Sequence, residues 1–323
     1  MNIHKAYIYD RYPLLHRENS PDYGISGPEE AVIRPLCFAE LCRLLETKGT
    51  HLLWFGGPWC PNTAGVVDYI NYYARKYGVE AVYSFDFRLD GKSRDASIRE
   101  DITAQPGYRG PDKAENPVAG ADYNYIYGEL VRRYLTNLDD WVAYKLGSGR
   151  EITYLDSRGR RMTVPKLQAP FLFLYNKDSV RPILYAFEKM YFRDPEDGKL
   201  YSDYFRHDQE TLVSDLGRQL EEAVFCHLPP EGLKAVPPGE MITLDELKWL
   251  KEQKHTFLLV MGEITPAVQN YALAHGLELY RFDPRLDGGR AVECWGYPRS
   301  RALGEERAAV IRYTEGESEE LTL

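Results

Sequence analysis

Leu52-Leu-Trp-Phe-Gly-Gly-Pro-Trp-Cys-Pro-Asn-Thr63 is the stretch that decides how this chain is read. His51 to Phe55 is continuously apolar in character, as buried parallel strands tend to be. Gly56-Gly-Pro58 turns the chain, and Pro61 suits a first helical turn because its missing N–H would be unpaired there anyway. Cys60 therefore falls at the start of a helix. Unpaired backbone N–H groups and the positive end of the helix dipole both favour thiolate over thiol at such a place. The thiolate is the reactive form, so the position reads as an exposed, nucleophilic sulfur.

Working outward, Phe38, Leu41, Leu44 and Leu45 recur at helical spacing and predict a helix over Phe38 to Thr47. The same argument predicts a helix from Ala64 to Tyr77, ended by Gly78, and then a strand from Val79 to Phe87. Residues 91 to about 120 lose periodicity and gather Gly, Pro, Asp and Lys, as a long loop does. A helical period returns from Tyr123 to Leu146. Glu151 to Val164 reads as a hairpin turning at Asp156-Ser-Arg-Gly159. Ile183 to Phe192 is expected as a strand and Gln209 to Phe225 as a helix. Residues 1 to 30, rich in Tyr, Pro and Gly, are expected to form an irregular lead-in.

Lys166-Leu-Gln-Ala-Pro-Phe-Leu-Phe-Leu-Tyr-Asn-Lys177 sets a proline directly before an apolar strand. With the strand, Trp59-Cys60-Pro61 and the helix before it, this order resembles the thioredoxin-like superfamily in a monothiol Trp-Cys-Pro-Asn-Thr form. The resemblance covers about residues 30 to 227. It implies an α/β fold, a thioredoxin-like mixed sheet flanked by helices, carrying a large insertion at 92–163. It also implies that Pro170 is a cis-proline facing Cys60 and that Ala169 offers backbone groups to an extended substrate. Trp59 and Pro61 would then line the substrate pocket.

The chain also repeats itself. Glu40-Leu-Cys-Arg-Leu-Leu-Glu46, Leu52-Leu-Trp-Phe55 and Phe85-Asp-Phe-Arg-Leu-Asp-Gly91 form one series. Glu246-Leu-Lys-Trp-Leu-Lys-Glu252, Leu258-Leu-Val-Met261 and Phe282-Asp-Pro-Arg-Leu-Asp-Gly288 form another. Each reads as helix, strand, helix, strand, which implies a parallel pair in an α/β unit. The second copy passes through Gly262-Glu-Ile-Thr265 with no cysteine. The expected organisation is a lead-in (1–30), a thioredoxin-like domain (31–228), a proline-rich linker (229–240) and a smaller, cysteine-free thioredoxin-like half-repeat (241–323).

In redox members of the superfamily a second cysteine resolves the mixed disulfide; here that position is Thr63. A hydroxyl cannot reduce a disulfide, but it can donate a hydrogen bond to the thiolate. The resemblance thus implies monothiol exchange: Cys60 holds a mixed disulfide until an external thiol releases it. The expected partner is a disulfide-bearing protein or a low-molecular-weight thiol, and no cofactor is expected. The buried acid that thioredoxins keep six residues before the nucleophile is replaced by Trp54, leaving Asp86 or Asp90 as candidate proton carriers. Two alternatives stand beside this reading. One is a redox-inactive thioredoxin-fold docking module. The other is a thiol-dependent peroxidase, since Cys-x-x-Thr also resembles the glutathione-peroxidase motif.

Composition narrows the rest. A net charge of −9 and a pI near 5.4 argue against a nucleic-acid partner. No run of eighteen apolar residues exists, so no membrane partner is expected, and the first ten residues do not read as a secretory signal. Five scattered cysteines are not a disulfide framework and fit a cytoplasmic location. No metal-ligand spacing surrounds Cys226-His227, and no metal site is expected. Arg158, Arg160 and Arg161 form a small basic turn that reads first as a solvated hairpin tip and second as a grip for an anion.

Overall fold

The structure, a computed structural model, describes residues 2–88, 98, 121–142, 151–156, 158, 160–188, 191–193, 200–202, 216–236, 241–282 and 309–322. Its helices are α1 (Ile3–Arg11), α2 (Phe38–Leu45), α3 (Pro61–Ala64), α4 (Val67–Lys76), α5 (Ala121–Tyr134), α6 (Leu216–Ala223), α7 (Leu244–Glu252) and α8 (Pro266–His275). The strands of the first unit are β1 (Ile33–Pro35), β2 (Thr50–Phe55), β3 (Val82–Phe85), β4 (Glu151–Leu155), β5 (Arg161–Pro165), β6 (Phe171–Asn176), β7 (Ile183–Phe187), β8 (Tyr191–Arg193) and β9 (Leu200–Ser202). Those of the second are β10 (Phe257–Met261), β11 (Glu278–Arg281), β12 (Ala309–Thr314) and β13 (Glu317–Leu321).

The main sheet has the order β1-β3-β2-β6-β7. Its first three strands are parallel, while β6 and β7 each run antiparallel to their neighbour. The chain is therefore α/β with a mixed sheet flanked by helices. Period-two alternation distributes β2 between two cores. Leu52 and Trp54 face α1, α4 and α6, while Leu53 and Phe55 face α2, α5 and the β4–β5 hairpin. On the second face, Phe55 meets Phe173 edge-on at 5.0 Å, with Phe85 and Phe87 completing the aromatic layer.

The second sheet, β11-β10-β12-β13, repeats the order and strand senses of β3-β2-β6-β7. The repeat seen in the sequence as helix, strand, helix, strand thus carries a further antiparallel pair. Its α7 begins with a capping box: Thr243 Oγ1 accepts from the Glu246 amide and Glu246 accepts from the Thr243 amide. The Phe282-to-Gly288 match lies outside the described residues beyond Phe282, as does Cys294.

Several expectations change. Residues 12–30 hold only short 3-10 turns, as an irregular lead-in does, but the segment starts with a regular helix, α1, begun by Asn2, whose side chain accepts from the Lys5 amide. Its stripe of Ile3, Ala6, Tyr7 and Ile8 is buried, so tertiary packing supplies what propensity does not. The helix expected over Ala64 to Tyr77 is split by Gly65 and Val66 into α3 and α4, since glycine gives the chain freedom to bend there. The strand expected over Ile183 to Phe192 ends at Phe187, and Tyr191–Arg193 pairs instead with β9. Of the predicted helix at Gln209 to Phe225, Leu216 to Ala223 is helical and residues 209–215 lie outside the described residues. Most of the expected loop at 91–120 also lies outside them.

Within the 92–163 segment, α5 and the β4–β5 hairpin pack together on the second core. Gly128 permits this. A Cβ there would lie 2.3 Å from the Tyr154 ring. Tyr127 then fastens α5 to the strand that follows, donating from its hydroxyl to Pro165 O at 2.7 Å and accepting from the Leu167 amide at 2.9 Å.

Candidate functional site

Strand β2, central in the sheet, delivers Gly56-Gly57-Pro58 beyond its C-terminal end, and Cys60 occupies the N-cap position of α3. Its backbone is extended, and its amide donates to Gly57 O at 3.0 Å. The thiol donates to Ala169 O at 3.5 Å, across an Ala169–Pro170 peptide bond that is cis. The structure thus brings Cys60, Ala169 and Pro170 together from positions more than a hundred residues apart in sequence. Pro61 opens α3, as its fixed φ favours.

Three features differ from the sequence expectation, the third being that Thr63 does not donate to the Cys60 sulfur. Cys60 is not exposed: it retains 8% of its surface and belongs to the second core. Ala169 is also buried, with its carbonyl turned to the thiol. The cause is packing: the second core, which includes α5 and the hairpin, closes around Cys60 and Ala169. Thr63 is fully buried, and its Oγ1 has no hydrogen-bond partner among the described residues. Its hydroxyl packs toward Gly56, where a Cβ would come within 2.6 Å of Oγ1.

Trp59 is held from two sides. Its Nε1 donates to Asp86 Oδ1 at 2.7 Å, and the Arg88 guanidinium lies 3.7 Å from its ring centroid. The Arg88 amide also donates to Asp86 Oδ1, at 2.8 Å. Gly57 makes this contact possible, since a Cβ there would stand 2.1 Å from Asp86 Oδ2 and 2.4 Å from Trp59 Nε1. Burial pushes the Asp86 carboxyl up to about 7, against the hydrogen bonds from Trp59 and Arg88 that favour its charge. The sequence offered Asp86 and Asp90 equally. Asp86 is the one seen at the turn, and Asp90 lies outside the described residues.

Behind the turn is a cavity of about 30 Å³, lined in part by Tyr12, Gly56, Pro58, Asp86, Arg88 and Asp245. It is large enough for a water molecule. Burial raises the Tyr12 phenol well above its ordinary value, and the fields of Asp86, Asp245 and Cys60 raise it further. Asp245 comes from α7 of the second unit and accepts from Tyr7 Oη at 2.5 Å. Burial raises its carboxyl too, opposed by that hydrogen bond. Sequence reasoning missed Asp245 and Tyr12. The Thr243-x-x-Glu246 box could have placed Asp245 in a first helical turn, but nothing local ties it to Cys60.

At Trp54, six residues before Cys60, the ring is fully buried and lies 5.6 Å from Tyr12. Among the described residues, no group of His, Cys, Asp and Glu is arranged to hold a metal ion. No described helix is long and apolar enough to cross a membrane. A scan against protein-family models finds no match for this chain, and a search of curated proteins finds none either.

Proposed function

We propose that this chain has a thioredoxin-like fold and carries out monothiol thiol–disulfide exchange through Cys60. The observation that carries the reading is the Cys60 thiol at 3.5 Å from Ala169 O, beside the cis bond to Pro170. The sheet order β1-β3-β2-β6-β7, with three parallel strands followed by two antiparallel ones, supports it. In the reaction, the Cys60 thiolate attacks one sulfur of a disulfide, joins it, and expels the other as a thiolate. An external thiolate then attacks the substrate sulfur of that mixed disulfide and returns Cys60 as thiolate. No net electrons are gained by the protein.

Asp86 is the proton acceptor in this scheme, poised by its pKa of about 7. Its partner Trp59 forms one wall of the approach. Because Cys60 is 8% exposed, a substrate chain must displace the Cys60–Ala169 contact to reach the sulfur. Slow entry and durable mixed disulfides follow. Thr63 supplies no resolving thiol, so release depends on the external partner, a disulfide-bearing protein or a low-molecular-weight thiol.

The test is incubation of a Cys226→Ser protein with glutathione disulfide, followed by peptide mapping. Among the described residues Cys226 is the exposed thiol, and it would otherwise mask the result. The expected product is a mixed disulfide on Cys60, removed by reductant and absent after Cys60→Ser. Labelling of Cys60 only after unfolding would overturn the reading. It would favour a redox-inactive docking module, the alternative that the burial of Cys60 supports.

A further inference from the structure

The β4–β5 hairpin and the last turn of α5 enclose a cleft of about 280 Å³. Four guanidinium groups line it: Arg132 and Arg133 from α5, Arg158 and Arg160 from the hairpin tip. Two carboxylates accompany them, Glu129 and Asp156, so the lining carries a net charge of +2 (four minus two). This stands out in a chain of net charge −9.

The carboxylates hold the arginines in place. Glu129 is buried. It accepts from Arg132 Nε at 2.9 Å, from Arg132 Nη2 at 2.6 Å, from Arg133 Nε at 3.0 Å and from Tyr154 Oη at 3.1 Å. Burial works against its charge, but these bonds overcome that and hold its carboxyl below the ordinary range. Asp156 shapes the hairpin tip, accepting from the Arg158 and Arg160 amides at 2.9 Å each and from Arg160 Nε at 2.7 Å. Arg158 differs from the rest: among the described residues its guanidinium has no ion-pair partner. Arginine forks fixed in advance lose little freedom when an oxyanion arrives, which is the condition for tight recognition of a planar or tetrahedral anion.

We propose that this cleft binds a small phosphate dianion, either inorganic phosphate or the phosphate group of a small monoester. The net charge of the lining matches that of the dianion, and the volume admits a small molecule. Arg158 supplies the guanidinium not committed within the cleft, and Arg132 and Arg160 present the edges that their carboxylates leave. The site is independent of Cys60 and stands whether or not that cysteine is reactive.

Calorimetric titration of the whole protein with inorganic phosphate and, separately, with glycerol phosphate tests it, in dilute buffer at pH 8. One site is expected, with affinity falling as salt is added. Arg158→Gln should weaken binding about tenfold or more, since a charge-assisted hydrogen bond is lost, with an unchanged melting temperature. Whichever ligand binds more tightly names the source. In the unsubstituted protein, NMR signals of the arginine Nε–Hε groups should shift on addition of phosphate. Absence of binding at millimolar concentrations of both ligands, unmoved arginine signals, or wild-type affinity in Arg158→Gln would each overturn the proposal.

Discussion

Trp59 Nε1 donates to Asp86 Oδ1 at 2.7 Å, and this bond joins the turn that carries Cys60 to the end of a parallel strand. The acceptor is a carboxyl raised by burial to about 7. Anything that alters the charge of Asp86 therefore acts on the wall of the candidate site.

The first prediction concerns pH. The Asp86 pKa in the folded protein lies above the ordinary 3.8, so between about pH 4 and pH 7 the folded state binds more protons at this site than the unfolded state. Its contribution to stability therefore falls as pH rises through that window. Asp86→Asn should remove this slope. Denaturant unfolding of both proteins at intervals from pH 4 to pH 8 checks it: their difference in stability should grow in favour of Asn with rising pH and level off above 7.

Gly57→Ala should destabilise the protein by about 1–3 kcal/mol, as overpacking does. The new methyl would press on both Asp86 Oδ2 and Trp59 Nε1. Loss of the Trp59–Asp86 bond should appear as a shift of the indole N–H signal in NMR, and a wild-type indole shift would contradict the geometry.

A third prediction concerns the seam between the units. His4 Nδ1 lies 2.6 Å from Glu246 Oε1. Burial opposes the charged imidazole, but the field and hydrogen bond of Glu246 outweigh it and raise the His4 pKa above 6.5. The stabilisation is thus fully present below pH 6.5 and is lost as pH rises through the raised value. Amide hydrogen exchange in α1, corrected for its intrinsic pH dependence, should show less protection at pH 9 than at pH 6. His4→Gln should abolish the difference.

Tyr127→Phe removes the hydroxyl shared by Pro165 O and the Leu167 amide. The cost should be about 1–3 kcal/mol, because a part-buried carbonyl and a buried amide lose this hydrogen bond. Urea unfolding gives the value; a change below about 0.3 kcal/mol would show that the tether matters little.

The sequence made the strand–turn–helix around Cys60 legible because its signals are local: an apolar run, two glycines, and prolines at Pro58 and Pro61. The hairpin at 151–165 was readable for the same reason. Helix α1 was not, since its tyrosines and basic residues have no strong helical pattern until the second unit packs against them. Asp245 and Tyr12 were hidden because they reach the site only through the docking of α1 and α7. The burial of Cys60 likewise depends on how α5 and the hairpin close over the sheet, which no spacing of residues states.

Helix α1 touches both units. Tyr12, at its C-cap, lies against Trp54 of β2, while Tyr7 and Asp10 bond to Asp245 and Trp249 of α7. Trimming the first dozen residues would therefore injure the two halves together, and neither could be expected to tolerate being expressed apart from its shared brace. Drift at this end of the chain is answerable to both of the units that it braces, however far their own sequences change.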